Sequence, residues 1–289
     1  ACENIDNYCK KQTCVFLEQK WYRGGHNYMI QILFFLPFVY TFTTRLNDRK
    51  KRIAWCFTYI IPVFMAFAYI MPENIGHNII YFIMSILVIY SAYELGYFYN
   101  DAELIKKEDK PTLRLNLEQM IFYQKYRGFI YCIRVVLITI LCMAMVQLNY
   151  QIGISLILAV SIILITYVFY NSTRSKWNIP LSWFLGFIWF FGFFIYFSRF
   201  KSLFYLWLAY PLCVTIEFMS KPRFKIPLYL VKNNTDLFRV YYYIVLSFLL
   251  LLMNYKDCVP FFINLIVGYF FFFRTLTYFT ISKKYRGVN

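Results

Sequence analysis

Apolar runs about as long as a bilayer is thick recur along almost the whole chain, and they leave it few ways to fold. A membrane-crossing helix needs roughly 20 mainly apolar residues. Nine stretches approach or meet that length, at about 28–44, 53–71, 78–99, 128–148, 151–170, 179–198, 202–219, 240–254 and 259–281. The first and eighth are short. Of the 289 residues 61% are hydrophobic and 15% charged, against about half and a quarter in a soluble domain. The expected fold is therefore all-α, a polytopic transmembrane helix bundle of eight or nine spans. It comprises an N-terminal tail, 1–27, and a single helical domain, 28–289, with polar loops at 100–127, 171–178 and 220–239.

Charge orients the bundle. The net charge is +16, but the bases lie in short loops between apolar segments, as the positive-inside rule describes. With nine spans, most of the 30 Lys and Arg fall on the side holding 45–52, 100–127, 171–178, 220–239 and the C-terminal end. That side is expected to be cytoplasmic. The tail, with Lys10, Lys11, Lys20 and Arg23, fits this count badly. If 28–44 lies in the interface, eight spans and a cytoplasmic start remain. No RNA- or DNA-binding motif accompanies the bases, so nucleic acid is not an expected partner.

Other residue classes narrow less. Aromatics make up 23% of the chain, which fits interfacial belts, a lipid-facing surface, a prenyl-lined cavity or a plain compositional bias. Cys56, Cys132, Cys142 and Cys213 lie in apolar segments and read as small hydrophobes. Cys2, Cys9 and Cys14 can pair only in an oxidising compartment. No cleavable signal peptide is expected. His26 and His77 stand alone and make no metal site. Asn171-Ser172-Thr173 and Asn233-Asn234-Thr235 match the glycosylation pattern, on the side where it is not used.

Three polar constellations stand out. The first is the stretch 93–114, YELGYFYNDAELIKKEDKPTLR, which leaves an apolar segment at Asn100-Asp101 and mixes acids with Lys106, Lys107, Lys110 and Arg114 before and after Pro111. Glu108 and Asp109 come about two helical turns after Asn100-Asp101. Carboxylates of this kind suit Mg²⁺ shared with substrate phosphates, and the bases suit a diphosphate leaving group; an ordinary charged loop reads the same way. The second is Tyr170-Asn171-Ser172-Thr173-Arg174-Ser175-Lys176-Trp177. Arg174 and Lys176 there suit phosphate oxygens or merely set topology. The third, 217–239, holds Lys221, Arg223, Lys225, Lys232 and Arg239 against Glu217 and Asp236, and suits phosphate better than metal. Within the spans, where ionisable groups are costly, Glu94 and Glu217 are expected to line a cavity. Arg134 and Arg274 are expected to snorkel toward the interface.

The order of these clusters resembles the UbiA-type intramembrane prenyltransferase superfamily over roughly 78–240. YNDAELIKKEDKPTLR and YNSTRSKWNIPLSWFLG carry most of the resemblance, and WYRGGHNY a little. The resemblance implies a nine-helix bundle whose polar motifs face each other above a lipid-filled cavity. It implies Mg²⁺ held by Asn100, Asp101, Glu108 and Asp109, and a catalytic set of Asp101, Arg114, Arg174 and Lys176. Lys107, Lys110, Tyr170, Lys221, Arg223, Asp236 and Arg239 are the expected substrate-binding residues beside them.

The chain departs from the family pattern. Leu104 replaces a usual Asp, three apolar segments precede the first motif, and a basic loop at 221–239 replaces the second Asp-rich motif. The basic loop resembles the branch that moves phosphoribose from phosphoribosyl pyrophosphate to polyprenyl phosphate. The expected partners are a polyprenyl lipid, a phosphorylated or diphosphate donor and membrane lipid. The expected place is the bacterial inner membrane, with the active-site loops cytoplasmic. A non-enzymatic lipid-linked carrier or flippase, or a structural subunit, are the competing classes.

Overall fold

A computed structural model describes residues 26–72, 75–107, 112–173, 175–197, 205, 207–255 and 260–285. They form helices and turns, with no strand among them. In chain order these are α1 (His26–Phe35), α2 (Val39–Thr44), α3 (Arg49–Ile70), α4 (Ile75–Ala102), α5 (Leu117–Leu148), α6 (Tyr150–Ser172), α7 (Asn178–Phe191), α8 (Leu208–Met219), α9 (Tyr229–Asn233), α10 (Thr235–Tyr255) and α11 (Phe261–Tyr285). Six of them, α3, α4, α5, α6, α10 and α11, are long and apolar enough to cross a membrane. The protein is thus an all-helical membrane protein. The expected spans at 28–44 and 179–198 do not appear as single helices of spanning length among the described residues, and the one at 202–219 lies partly outside them.

Local chemistry explains two of those breaks. Pro37 has no N–H to donate, and Phe38 takes a left-handed φ of 70°, costly for a bulky residue. The first segment therefore splits into α1 and α2. The ring of Phe38 stacks on Tyr90 at 4.4 Å, which helps hold this conformation. At the other break, α7 tightens into a 3₁₀ turn at Gly192–Phe194. Prolines also mark the two π turns. Cys56–Ile60 in α3 ends two residues before Pro62, and Leu208–Leu212 at the start of α8 contains Pro211. A missing donor at each proline lets the turn widen.

The chain packs as two compact units. Unit 1 takes residues up to Ile53 together with Ile83–Tyr167, and unit 2 takes Ala54–Phe82 together with Val168 onward. In unit 1, α4 is the most enclosed of the six long helices. The fully buried Phe34 of α1 meets Phe98 of α4 at 5.5 Å and Phe122 and Tyr123 of α5 at 5.9 Å each. Gly96 lets α4 accept the Tyr167 ring, because a Cβ there would lie 2.6 Å from three ring atoms. In unit 2, Tyr59 stacks on Trp189 at 3.9 Å and donates from its hydroxyl to the Trp189 carbonyl at 3.0 Å. Helices α10 and α11 pack along each other, with Phe270 stacked at 5.4 Å against both Tyr210 and Tyr243.

The loop expected at 100–127 is shorter than its polarity suggests. Asn116 caps α5 by accepting the Gln119 N–H at 2.8 Å, while the Gln119 side chain accepts the Asn116 N–H at 3.0 Å. This reciprocal capping box starts the helix at Leu117, well before the apolar run that announced it.

Candidate functional site: arginine–carboxylate clusters at the ends of the long helices

Asp101 stands in the last turn of α4, where the helix dipole disfavours an anion, and its side chain is fully buried. Such a carboxylate persists only if paired and hydrogen-bonded. Oδ1 accepts from Arg45 Nη2 at 3.0 Å, Arg114 Nη1 at 2.9 Å and Asn100 Nδ2 at 3.0 Å. Oδ2 accepts from Arg45 Nη2 at 2.8 Å and the Tyr40 hydroxyl at 2.9 Å. The Arg45 guanidinium also lies 4.4 Å from the centroid of the Tyr97 ring, one turn back on α4.

Electrostatics ties the cluster together. Burial pulls the Arg45 pKa down, but the Asp101 charge, Tyr97, Tyr40 and the hydrogen bond to Asp101 together outweigh it, and the net shift is upward. Tyr40 is pushed well above the usual phenol range, by burial first and then by the Asp101 charge. Both groups are held in their ordinary forms, cationic and neutral. Arg45 caps the C-terminal end of α2, its N–H donating to Thr41 O at 2.9 Å, so one cation serves two helix ends.

One step deeper in unit 1 is a second pair. Glu94 and Arg134 have fully buried side chains, with Nη2 of Arg134 2.8 Å from Oε2 of Glu94. Arg134 also donates from Nε to Phe34 O at 2.7 Å and from Nη2 to Leu36 O at 2.8 Å. A helix leaves its last carbonyls without partners, and the break at Pro37–Phe38 places two of them against this arginine. Glu94 Oε1 accepts the N–H and the hydroxyl of Thr41, both at 2.8 Å. The expectation that Arg134 snorkels is thus overturned: its side chain is sealed inside unit 1, stapling α1, α2, α4 and α5. Glu94 is committed to the same staple.

Unit 2 has its own cluster. Arg239 of α10 donates to both oxygens of Glu217, with Nη2–Oε2 at 2.6 Å, and from Nη1 to Asp236 at 2.8 Å. The expected substrate-binding residues Asp236 and Arg239 therefore bind each other. Lys221 and Arg223 lie over the Phe218 ring at 4.6 and 4.9 Å. Lys176 is exposed and Tyr170 half-buried, beside the buried Asn171 and Asn178. An apolar cavity of about 520 Å³ opens nearby, lined by Phe169, Trp177, Leu181, Trp183, Phe184 and Trp207 among others.

The structure thus joins Asn100, Asp101 and Arg114 of the expected site and adds Tyr40 from the first apolar segment and Arg45 from the short basic loop after it. Lys176, Tyr170, Lys221, Arg223, Asp236 and Arg239 belong to unit 2. Glu108, Asp109, Lys110 and Arg174, and the side chain of Lys107, lie outside the described residues.

The donor set at Asp101 does not fit a divalent cation. Five hydrogen bonds occupy its two oxygens, so Mg²⁺ would have to displace an arginine. Among the described residues no group of three His, Cys, Asp or Glu side chains gathers to hold a metal. Comparison with protein-family models, curated proteins and solved structures finds no match.

Proposed function

We propose that this chain is a membrane-embedded transferase acting on phosphate-bearing lipid substrates, with a diphosphate as the leaving group, and that Arg45 and Arg114 of unit 1 receive that group. One observation carries the reading: two partly exposed guanidinium groups, 20% and 30% accessible, are fixed on a fully buried carboxylate at the end of a long apolar helix. A guanidinium has five N–H donors, and Asp101 uses only Nη2 of Arg45 and Nη1 of Arg114. The remaining donors suit phosphate oxygens, which Arg grips through its planar fork.

The resemblance to the phosphoribosyl branch of the UbiA-type superfamily supports this choice of substrate. In that version the polyprenyl phosphate oxygen attacks the anomeric carbon of phosphoribosyl pyrophosphate. The new C–O bond forms as the bond to pyrophosphate breaks, and the electron pair leaves with pyrophosphate. Arg45 and Arg114 offset the charge gathering on that leaving group, so catalysis is positioning and charge stabilisation. In the prenyl version the same arginines face a prenyl diphosphate.

A second reading, a lipid-linked carrier or flippase, is favoured by the complete pairing of Asp101, since gripping a phosphate headgroup needs no metal. Pyrophosphate release by the purified protein separates the two. The reading expects release from one donor, phosphoribosyl pyrophosphate with polyprenyl phosphate or a prenyl diphosphate with an acceptor extract. It also expects a drop of about 100-fold or more in Arg114→Gln. Folded protein that binds polyprenyl phosphate in excess chelator and releases nothing from either donor would select the carrier.

A further inference from the structure

Helix α11 presents a continuous inward stripe to unit 2: Ile263, Ile266, Val267 and Phe270 are each at most 1% exposed. The spacing is that of a core-facing helix. One turn beyond Phe270 the stripe reaches Arg274, where another apolar residue is expected. Its Nε is buried and has no hydrogen-bond partner among the described residues. The neighbouring Thr275 hydroxyl on α11 is buried and without a partner in the same sense.

The acids nearby are already engaged. Glu217 of α8 lies with Arg274 in the electrostatic surroundings of Tyr210 and Cys213. Both of its oxygens, however, are held by Arg239, which also takes Asp236. Otherwise Arg274 is faced by the Cys213 thiol and Tyr210 of α8, whose hydroxyl reaches Thr58 at the α3 π turn at 3.5 Å, and by Tyr243 of α10, with the Phe273 ring 5.5 Å from the Arg274 guanidinium. A half-buried guanidinium cannot discard its proton, and a buried charge is stable only when paired.

We propose that Arg274 and Thr275 form an anion site in unit 2 that takes a phosphate group, with the Tyr210 and Tyr243 phenols around it. The guanidinium supplies charge-assisted bonds to phosphate oxygens and the hydroxyl a further donor. The site belongs to unit 2 and does not rest on the transferase reading. Phosphate here can come from a lipid headgroup or from a free anion, and both present the same oxygens.

The test uses the full chain in mild detergent and in vesicles. Inorganic phosphate is titrated calorimetrically in detergent. Retained lipid is weighed by native mass spectrometry after reconstitution in phosphatidylcholine vesicles with and without phosphatidic acid. The proposal expects binding in at least one arm, weakened about tenfold or more in Arg274→Gln and less in Arg274→Lys, which keeps the charge and loses the fork. Binding of phosphate alone identifies a free anion, and retention of phosphatidic acid alone a headgroup. If Arg274→Gln does not fold, Thr275→Val keeps the cation and must still weaken binding several-fold. No binding by wild type in either arm, or equal binding by wild type and folded variants, overturns it. Activity at the Asp101 cluster is scored separately, through Arg114→Gln.

Discussion

Replacing Arg134 by Met tests whether unit 1 is held by a sealed ion pair or merely contains an arginine that reaches for the membrane surface. The variant deletes three bonds, to Phe34 O, Leu36 O and Glu94 Oε2. Side-chain hydrogen bonds inside membrane bundles average about 0.6 kcal/mol, so three ordinary ones give about 2 kcal/mol. A buried pair behaves differently, because removing one partner strands the other charge, at a cost of about 3–5 kcal/mol. The two carbonyls at the end of α1 also lose their donor, at about 1–3 kcal/mol each. Bonds sharing one side chain do not add, so the expected destabilisation of Arg134→Met is about 4–6 kcal/mol.

The decisive comparison is the double variant Arg134→Met/Glu94→Gln. Glu94→Gln alone leaves Arg134 buried with its charge unmatched and costs about 3 kcal/mol. In the Arg134→Met background the same change removes the stranded anion, while the amide oxygen still accepts from Thr41. The double variant should therefore be about 2 kcal/mol more stable than Arg134→Met alone. Unfolding in mild detergent, followed by helical circular dichroism at several denaturant concentrations, reads all four proteins. A loss below about 2 kcal/mol for Arg134→Met, or a double variant at the sum of the singles, would refute the sealed pair.

Further variants probe the local arguments. Gly96→Ala should destabilise by about 1–3 kcal/mol, because the new methyl overlaps the Tyr167 ring, and Tyr167→Leu in the same chain should recover part of that loss in the same unfolding assay. At Gly153 a Cβ meets the Val146 backbone at 2.5 Å, so Gly153→Ala must open the α5–α6 turn; it should lower the melting temperature more than Gly128→Ala, where nothing lies within 4 Å. Asn116→Ala removes the α5 cap at a cost of about 1 kcal/mol, seen as faster amide exchange at Gln119 and Met120. Tyr40→Phe should weaken the Asp101 cluster by about 1 kcal/mol without altering its charge, leaving the salt dependence of any phosphate binding unchanged.

Most of the helical layout is legible in the sequence, because long apolar runs specify helices whatever packs around them. Pro37 announces the break in the first segment, although its consequence, a carbonyl pair turned toward Arg134, depends on a residue almost a hundred positions away. Asn100, Asp101 and Arg114 are close in sequence and could be grouped by inspection. Tyr40 and Arg45 could not, since they reach Asp101 from 61 and 56 residues off. Cost alone marks Glu94 and Arg134 as significant within spans; their partnership needs α4 and α5 to be placed side by side. The early start of α5 was readable at Asn116-x-x-Gln119, a short polar signal outweighed by the polarity around it.

The clusters also bear on the kind of ligand the chain can take. Asp101 is enclosed by Arg45, Arg114, Asn100 and Tyr40, Glu94 by Arg134 and Thr41, and Glu217 and Asp236 by Arg239. Asp101 is the most heavily bonded of these carboxylates, accepting five hydrogen bonds, whereas Arg239 spends Nε, Nη1 and Nη2 on Glu217 and Asp236. Buried donors with capacity left over include Nε of Arg45, Nη1 of Arg134, and the Arg274 and Thr275 pair. A divalent cation competes with arginines already in place, whereas an anion takes donors that no described acid uses. Raising phosphate should accordingly stabilise the protein against heat more than raising Mg²⁺ at equal ionic strength, and the opposite order would mean that Asp101 releases its arginines to a metal.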